Sequence, residues 1–176
     1  MKKILAGLLA GSCVIAFADD NGMYFGAGAG AAWNKVNNPT ASGRVDLGYN
    51  FNKWWGVELG TTGTAQSGSG ELNQSMQYYD LSLKGTWALS DAFALTGQFG
   101  GALASPGVVA QPTGTTVNPA SPVTRDQQGW DFLTAVGAQY NLTKQVSLNV
   151  TDYYYYGSTT YQGNTNAVLA GIKYNF

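Results

Sequence analysis

Apolar and polar residues exchange places at every second position in eight separate stretches of this chain. A period of two is that of a β-strand, whose successive side chains point to opposite faces. In 22–33, Met23, Phe25, Ala27, Ala29, Ala31 and Trp33 share one face, and Gly26, Gly28 and Gly30 the other. Val45, Leu47, Tyr49 and Phe51 then oppose Arg44, Asp46, Gly48 and Asn50, and Trp55, Val57, Leu59 and Thr61 oppose Gly56, Glu58 and Gly60. Further on, Tyr79, Leu81, Leu83 and Trp87 face away from Tyr78, Asp80, Ser82, Lys84 and Thr86, and Phe93, Leu95, Phe99 and Leu103 from Ala94, Thr96, Gln98 and Gly100. Trp130, Phe132, Thr134, Val136, Ala138 and Tyr140 oppose Asp131, Ala135, Gly137 and Gln139. Val146, Leu148 and Val150 oppose Ser147, Asn149 and Thr151 ahead of a tyrosine run, 153–156. The last stretch, 167–176, sets Val168, Ala170, Ile172, Tyr174 and Phe176 against Lys173 and Asn175.

The connections between these stretches alternate long and short. Tight links at 52–53, 89–91 and 141–145 are separated by polar segments at 62–75, 104–129 and 157–166. Pro106, Pro112, Pro119 and Pro122 exclude regular structure from most of the longest one. Strands of about 9 to 11 residues suffice to cross hydrocarbon when tilted, and eight of them close into a barrel whose interior side chains can fill. A soluble eight-stranded barrel is the competing arrangement, with the apolar face inside. It would turn the Gly-rich polar face to water when only 11% of residues are charged, against about a quarter in ordinary soluble domains, and would have to crowd nearly all the aromatics into one small interior. The membrane arrangement is favoured.

Residues 1–18 read as a cleavable signal peptide: Lys2 and Lys3, an apolar stretch from 4 to 17, and the small-x-small site Ala16-Phe17-Ala18 before Asp19. The stretch is shorter than the roughly 20 residues a spanning helix needs, and no other segment has a comparable apolar run, so any crossing uses strands. Cys13 follows Leu-Leu-Ala-Gly-Ser, a context that departs from a lipoprotein box by Ala where Leu is usual. The expected division is therefore a signal peptide, 1–18, and one barrel domain, 19–176, in a mature chain without cysteine.

Aromatic side chains gather at both ends of the stretches. Phe51, Trp54, Trp55, Trp87, Phe93, Tyr140, Tyr174 and Phe176 lie at the short-turn ends; Trp33, Tyr78, Tyr79, Trp130, Phe132 and 153–156, with Tyr154, lie at the long-loop ends. Two such clusters are expected as girdles at the two membrane interfaces. A chain closing on Ile172, Tyr174 and Phe176 resembles bacterial outer-membrane β-barrels, which commonly end in such a strand. Gly-Tyr-Asn-Phe-Asn-Lys-Trp-Trp-Gly-Val-Glu-Leu-Gly (48–60) is similar to the second hairpin of OmpA-type domains. The resemblance, to the OmpA-like and OmpX-like family, covers 22–176 and implies an all-β fold: an eight-stranded antiparallel up-and-down transmembrane barrel in the bacterial outer membrane. It implies that Ile172, Tyr174 and Phe176 form an assembly signal read by the barrel-assembly machinery. A separate peptidoglycan-binding domain is not expected.

Strand parity puts Arg44, Asp46, Glu58, Asp80, Lys84, Asp131 and Lys173 on the inward face. Arg or Lys facing lipid at mid-membrane would cost about 2 to 4 kcal/mol, so these charges are expected to pair across the lumen. The resemblance implies a polar network that plugs the barrel. The alternative is a narrow, low-conductance channel, with inward glycines leaving room for water; those glycines could equally receive Arg44 and the lysines. No catalytic, cofactor-binding or metal site is expected, since His is absent and the only Cys lies in the signal peptide. The scattered Lys and Arg argue against nucleic acid. Expected partners are outer-membrane lipid and lipopolysaccharide, the assembly machinery, and surface ligands at exposed, mobile external loops. Tyr161 and the 153–156 run could add an adhesive patch, although a girdle accounts for the latter. Asn141-Leu142-Thr143 matches a glycosylation sequon but falls in a predicted periplasmic turn. A monomer with a structural and surface-contact role is the resulting expectation.

Overall fold

The computed structural model describes residues 22–34, 39–65, 75–107, 129–157 and 164–176. The expected signal peptide, the middle parts of the long loops and Tyr161 lie outside the described residues. Eight strands follow in order: β1 (Gly22–Asn34), β2 (Thr40–Asn50), β3 (Trp55–Thr64), β4 (Ser75–Ala88), β5 (Phe93–Gly107), β6 (Gly129–Asn141), β7 (Val146–Tyr156) and β8 (Thr165–Asn175). Each pairs antiparallel with the next, and β8 returns to β1 with Gly26 opposite Lys173 and Gly28 opposite Gly171, so the sheet closes on itself without a free edge.

The apolar row of every strand points outward. Leu59, Leu81, Phe99, Trp130 and Val136 are all more than half exposed on the outer wall, whereas Glu58, Asp80 and Lys84 are buried inside. Such a barrel is inverted with respect to a water-soluble one, and only a surrounding apolar solvent makes its outer wall favourable. Among the described strand residues, Asp152 is the single charged residue on the outer face, opposite Val136 and Val168 and one outward position from Tyr154. The penalty for a lipid-facing acid is smaller than for a base and falls toward the interface.

The three short turns, 51–54, 89–92 and 142–145, share one construction. The first amide donates to the carbonyl four residues on: Phe51 to Trp55, Leu89 to Phe93 and Leu142 to Val146, each at 2.9 Å. The second residue is a short polar one whose side chain accepts from the backbone ahead of it: Asn52 Oδ1 from Trp54 and Trp55 (2.8 and 2.9 Å), Ser90 Oγ from Phe93 (3.0 Å), and Thr143 Oγ1 from Gln145 and Val146 (3.2 and 2.9 Å). These Asx- and Ser/Thr-type turns satisfy amides that the ladder leaves over.

Two expectations are corrected. Strand β5 runs through Pro106 to Gly107, where the sequence reads as loop. Beyond Ala104 it pairs with β4 alone, and on an edge a missing amide proton is tolerated. Tyr78, Tyr153 and Tyr155, read with the long-loop girdle, are buried inside the barrel. They share parity with Asp80 on β4 and with Ser147 and Thr151 on β7, and parity outweighs position along the strand.

Candidate functional site: the barrel lumen

The middle of the lumen is organised around Arg44 on β2. Its guanidinium forks onto Asp80 of β4, with Nη1 to Oδ2 at 2.6 Å and Nη2 to Oδ1 at 2.8 Å. Nη2 also donates to Glu58 Oε1 of β3 (3.2 Å), Nη1 to Thr62 Oγ1 (2.9 Å), and the guanidinium carbon lies 4.3 Å from the centre of the Tyr153 ring. Bidentate geometry fixes orientation as well as energy.

Glu58 is the second hub. It accepts from Tyr24 OH (2.7 Å), Gln98 Nε2 (3.2 Å) and Lys173 Nζ (2.8 Å) as well as from Arg44. Lys173 lies 3.5 Å from Asp46, and Arg44 Nε 3.9 Å from the same carboxylate. Lys84 joins through an aromatic face, its Nζ 4.0 Å from the centre of the Tyr24 ring, with Lys173 Nζ 4.7 Å from the same ring. A buried charge survives only when paired and hydrogen-bonded, and these contacts link β1, β2, β3, β4, β5 and β8 across the interior. Asp131, buried on β6, sits nearer the long loops, opposite Ala102.

Above the Arg44–Glu58 ions, toward the long loops, aromatic and aliphatic side chains predominate, with Asp131 beside them. Tyr78 and Tyr155 stack with ring centres 4.1 Å apart and planes 17° apart. Leu133, Ala102, Ala135, Ala167 and Leu169 complete a buried cluster with them. The Tyr155 hydroxyl meets Thr62 Oγ1 at 2.9 Å, and Tyr78 OH donates to Thr165 Oγ1 at 2.8 Å. Tyr24, Thr62, Gln98, Tyr78, Tyr153 and Tyr155 thus line the site in addition to the charged residues the sequence singles out. Parity was the available signal, since Tyr24 lies between outward Met23 and Phe25.

The inward glycines divide by what occupies their space. A side chain on Gly60 would collide with the Arg44 guanidinium, one on Gly26 with the Asp46 carboxylate, and one on Gly48 with the Tyr24 phenol. At Gly30, Gly100 and Gly171 the obstacle is the backbone of the neighbouring strand. At these positions the missing side chains make room for protein atoms of the network or for tight strand curvature. Among the described residues, no three His, Cys, Asp or Glu side chains converge as a metal ion would require.

The sequence matches the family model described as outer membrane protein beta-barrel domain over residues 4–176. A comparison with curated proteins finds no match. Among solved structures, Neisserial surface protein A superposes with a TM-score of 0.67 at 15% identity, covering 89% of this chain and 96% of that one. OprG from Pseudomonas aeruginosa gives 0.56 at 15% identity, covering 92% and 99%. Ail, the attachment invasion locus protein of Yersinia pestis, gives 0.53 at 16%, covering 89% and 97%, in a complex with the heparin analogue sucrose octasulfate. At these identities the structures speak for the fold, and the family match covers nearly the whole chain. The chain belongs to the outer-membrane β-barrel domain family and is an integral protein of the bacterial outer membrane.

Proposed function

We propose that this protein is a plugged, monomeric barrel with a structural role in the envelope, that its long loops make surface contacts, and that it is not an enzyme. The observation that carries the reading is the Arg44–Glu58 network spanning the lumen beneath the Tyr78–Tyr155 layer. Opening a path would require separating buried ion pairs and then parting the stacked tyrosines above them, both unfavourable.

The same reading makes residues 1–18 the export signal and 19–176 the mature domain. The short turns face the periplasm and the long loops the exterior. Phe51, Trp54, Trp55, Trp87, Phe93, Tyr140 and Tyr174 serve as one interfacial belt, and Trp33, Trp130 and Tyr154 as the other. Ile172, Tyr174 and Phe176 address the barrel-assembly machinery, and lipid and lipopolysaccharide surround the outer wall. Loop segments 35–38, 66–74, 108–128 and 158–163 carry Lys35, Glu71, Arg125 and Asp126 as their only charges. A polyanion like the one bound to Ail is therefore a poor fit, and an uncharged, hydrogen-bonding surface partner fits better.

Planar-bilayer recording tests the plug. The wild-type protein is expected to give no steady conductance. Discrete openings that Glu58→Ala or Lys84→Ala abolishes or enlarges would replace the plug with the low-conductance channel.

A further inference from the structure

On the outer wall, at the short-turn end, the side-chain surface dips into a groove of about 500 Å³ lined by Trp54, Trp55, Trp87, Leu95, Gly85 and Gly97 among others. Its floor is a cross-strand glycine pair, Gly85 of β4 opposite Gly97 of β5. Their outward positions, flanked along the strands by Leu83, Trp87, Leu95 and Phe99, carry no side chain. A Cβ on Gly97 would meet nothing closer than 4.0 Å, whereas one on Gly85 would meet the Trp55 ring at 3.4 Å. Trp55, the cross-strand partner of Gly85, and Trp87, two residues along β4, line it with their indoles.

The walls are held in position by the backbone. Asn52 Oδ1 accepts from the amides of both Trp54 and Trp55, and Thr86 N–H donates to the Trp54 carbonyl at 2.8 Å, fastening the β2–β3 turn to β4. Lys53 projects from the same turn with its Nζ 5.2 Å from the centre of the Trp54 ring. A cation over an indole face is favourably held, so the ammonium stands beside a wall of the groove while no lining residue is charged.

We propose that this groove binds one glycerophospholipid, an acyl chain lying over Gly85 and Gly97 between the indoles and its phosphate meeting Lys53. The occupant follows from continuity and charge: the groove opens on the wall that already faces lipid, its lining is apolar but for Thr86 and Thr96, and its rim offers a cation to an anionic head. Indoles suit the boundary where chain meets head. That the lipid comes from the periplasmic leaflet rests on the orientation proposed above; the binding itself does not.

The test uses the full mature chain refolded in a lipid-free detergent, offered a few equivalents of dioleoyl phosphatidylglycerol, and analysed by native mass spectrometry. Wild type is expected to retain one lipid. Gly97→Leu, whose added Cβ meets nothing closer than 4.0 Å, is expected to lower retention at least tenfold, and Lys53→Gln several-fold. Gly63→Leu, an outward glycine elsewhere on the wall with open space around it, should retain lipid as wild type does. All variants are first required to show the same heat-dependent gel shift. No retained lipid in the wild type, or equal retention in Gly97→Leu and Gly63→Leu, overturns the site, and undiminished retention in Lys53→Gln overturns the phosphate contact. Micelles have no sides, so the orientation is read separately. Labelling of Lys53→Cys by an impermeant maleimide on intact cells would reverse the orientation and leave the binding result standing.

Discussion

The guanidinium of Arg44 lies in the space that a side chain at Gly60 would occupy. The glycine is therefore part of the arginine's seat. Gly60→Ala is expected to push the guanidinium off its fork on Asp80 and to destabilise the barrel by about 1 to 3 kcal/mol, the usual range for overpacking. Gly63→Ala, on the same strand with nothing within 4 Å of its added carbon, should leave stability unchanged. Urea unfolding in micelles, followed by tryptophan fluorescence, compares the two.

Glu58 gathers four donors, from Tyr24, Arg44, Gln98 and Lys173. Its removal as Glu58→Ala should lower stability by about 3 to 5 kcal/mol, because buried cations are left short of a partner. Glu58→Gln keeps the shape and an acceptor and should lose less. In a double-mutant cycle with Lys173→Met, part of the loss should be shared, giving a coupling of about 0.5 to 3 kcal/mol. A coupling of zero would mean that the 2.8 Å contact between them contributes nothing.

The second residue of each short turn is expected to matter locally and modestly. Ser90→Ala and Thr143→Val each remove an acceptor for the amide that opens the next strand, Phe93 or Val146. Each should cost about 0.5 to 1.5 kcal/mol. Hydrogen exchange at those two amides should accelerate while amides in mid-strand keep their protection.

Deletion of Phe176 separates assembly from stability. Its amide donates to the Met23 carbonyl at 3.0 Å, and its ring meets Tyr174 edge-on at 5.2 Å. Loss of one terminal bond should leave refolding in detergent nearly intact. In cells, the amount of protein reaching the outer membrane should fall steeply, as measured by fractionation and gel mobility of unboiled samples. Normal insertion would remove the assembly role while leaving the barrel unaffected.

Much of the architecture was legible because the two sides of each strand meet different solvents. Val45, Leu47 and Tyr49 could not share a face with Arg44 and Asp46, so a period of two marks the wall directly. Two things were not legible for definite reasons. Aromatic identity says nothing about side, and the 153–156 run therefore hid two inward tyrosines, Tyr153 and Tyr155, among outward ones. The role of an inward glycine depends on how closely the neighbouring strand and the reach of a distant side chain approach it, distances that only the closed barrel defines. Pro106 reads as loop by the general habit of proline, and β5 tolerates it because pairing with β6 already ends at Ala104.

Strands β1 and β8 lie side by side through eleven paired positions, from Tyr24↔Asn175 to Asn34↔Thr165. The connectivity is thus that of a ring cut once, and where the cut falls is a property of the gene more than of the object. A chain beginning at β3 and ending at β2, with the old termini joined by a short linker, would present the same wall, the same lumen and the same seat for Arg44. Cut after Phe51, it would end on Tyr49-Asn50-Phe51, the same three residue types as Tyr174-Asn175-Phe176. Such a chain keeps the ending and changes the strand that carries it, two things that the native order joins.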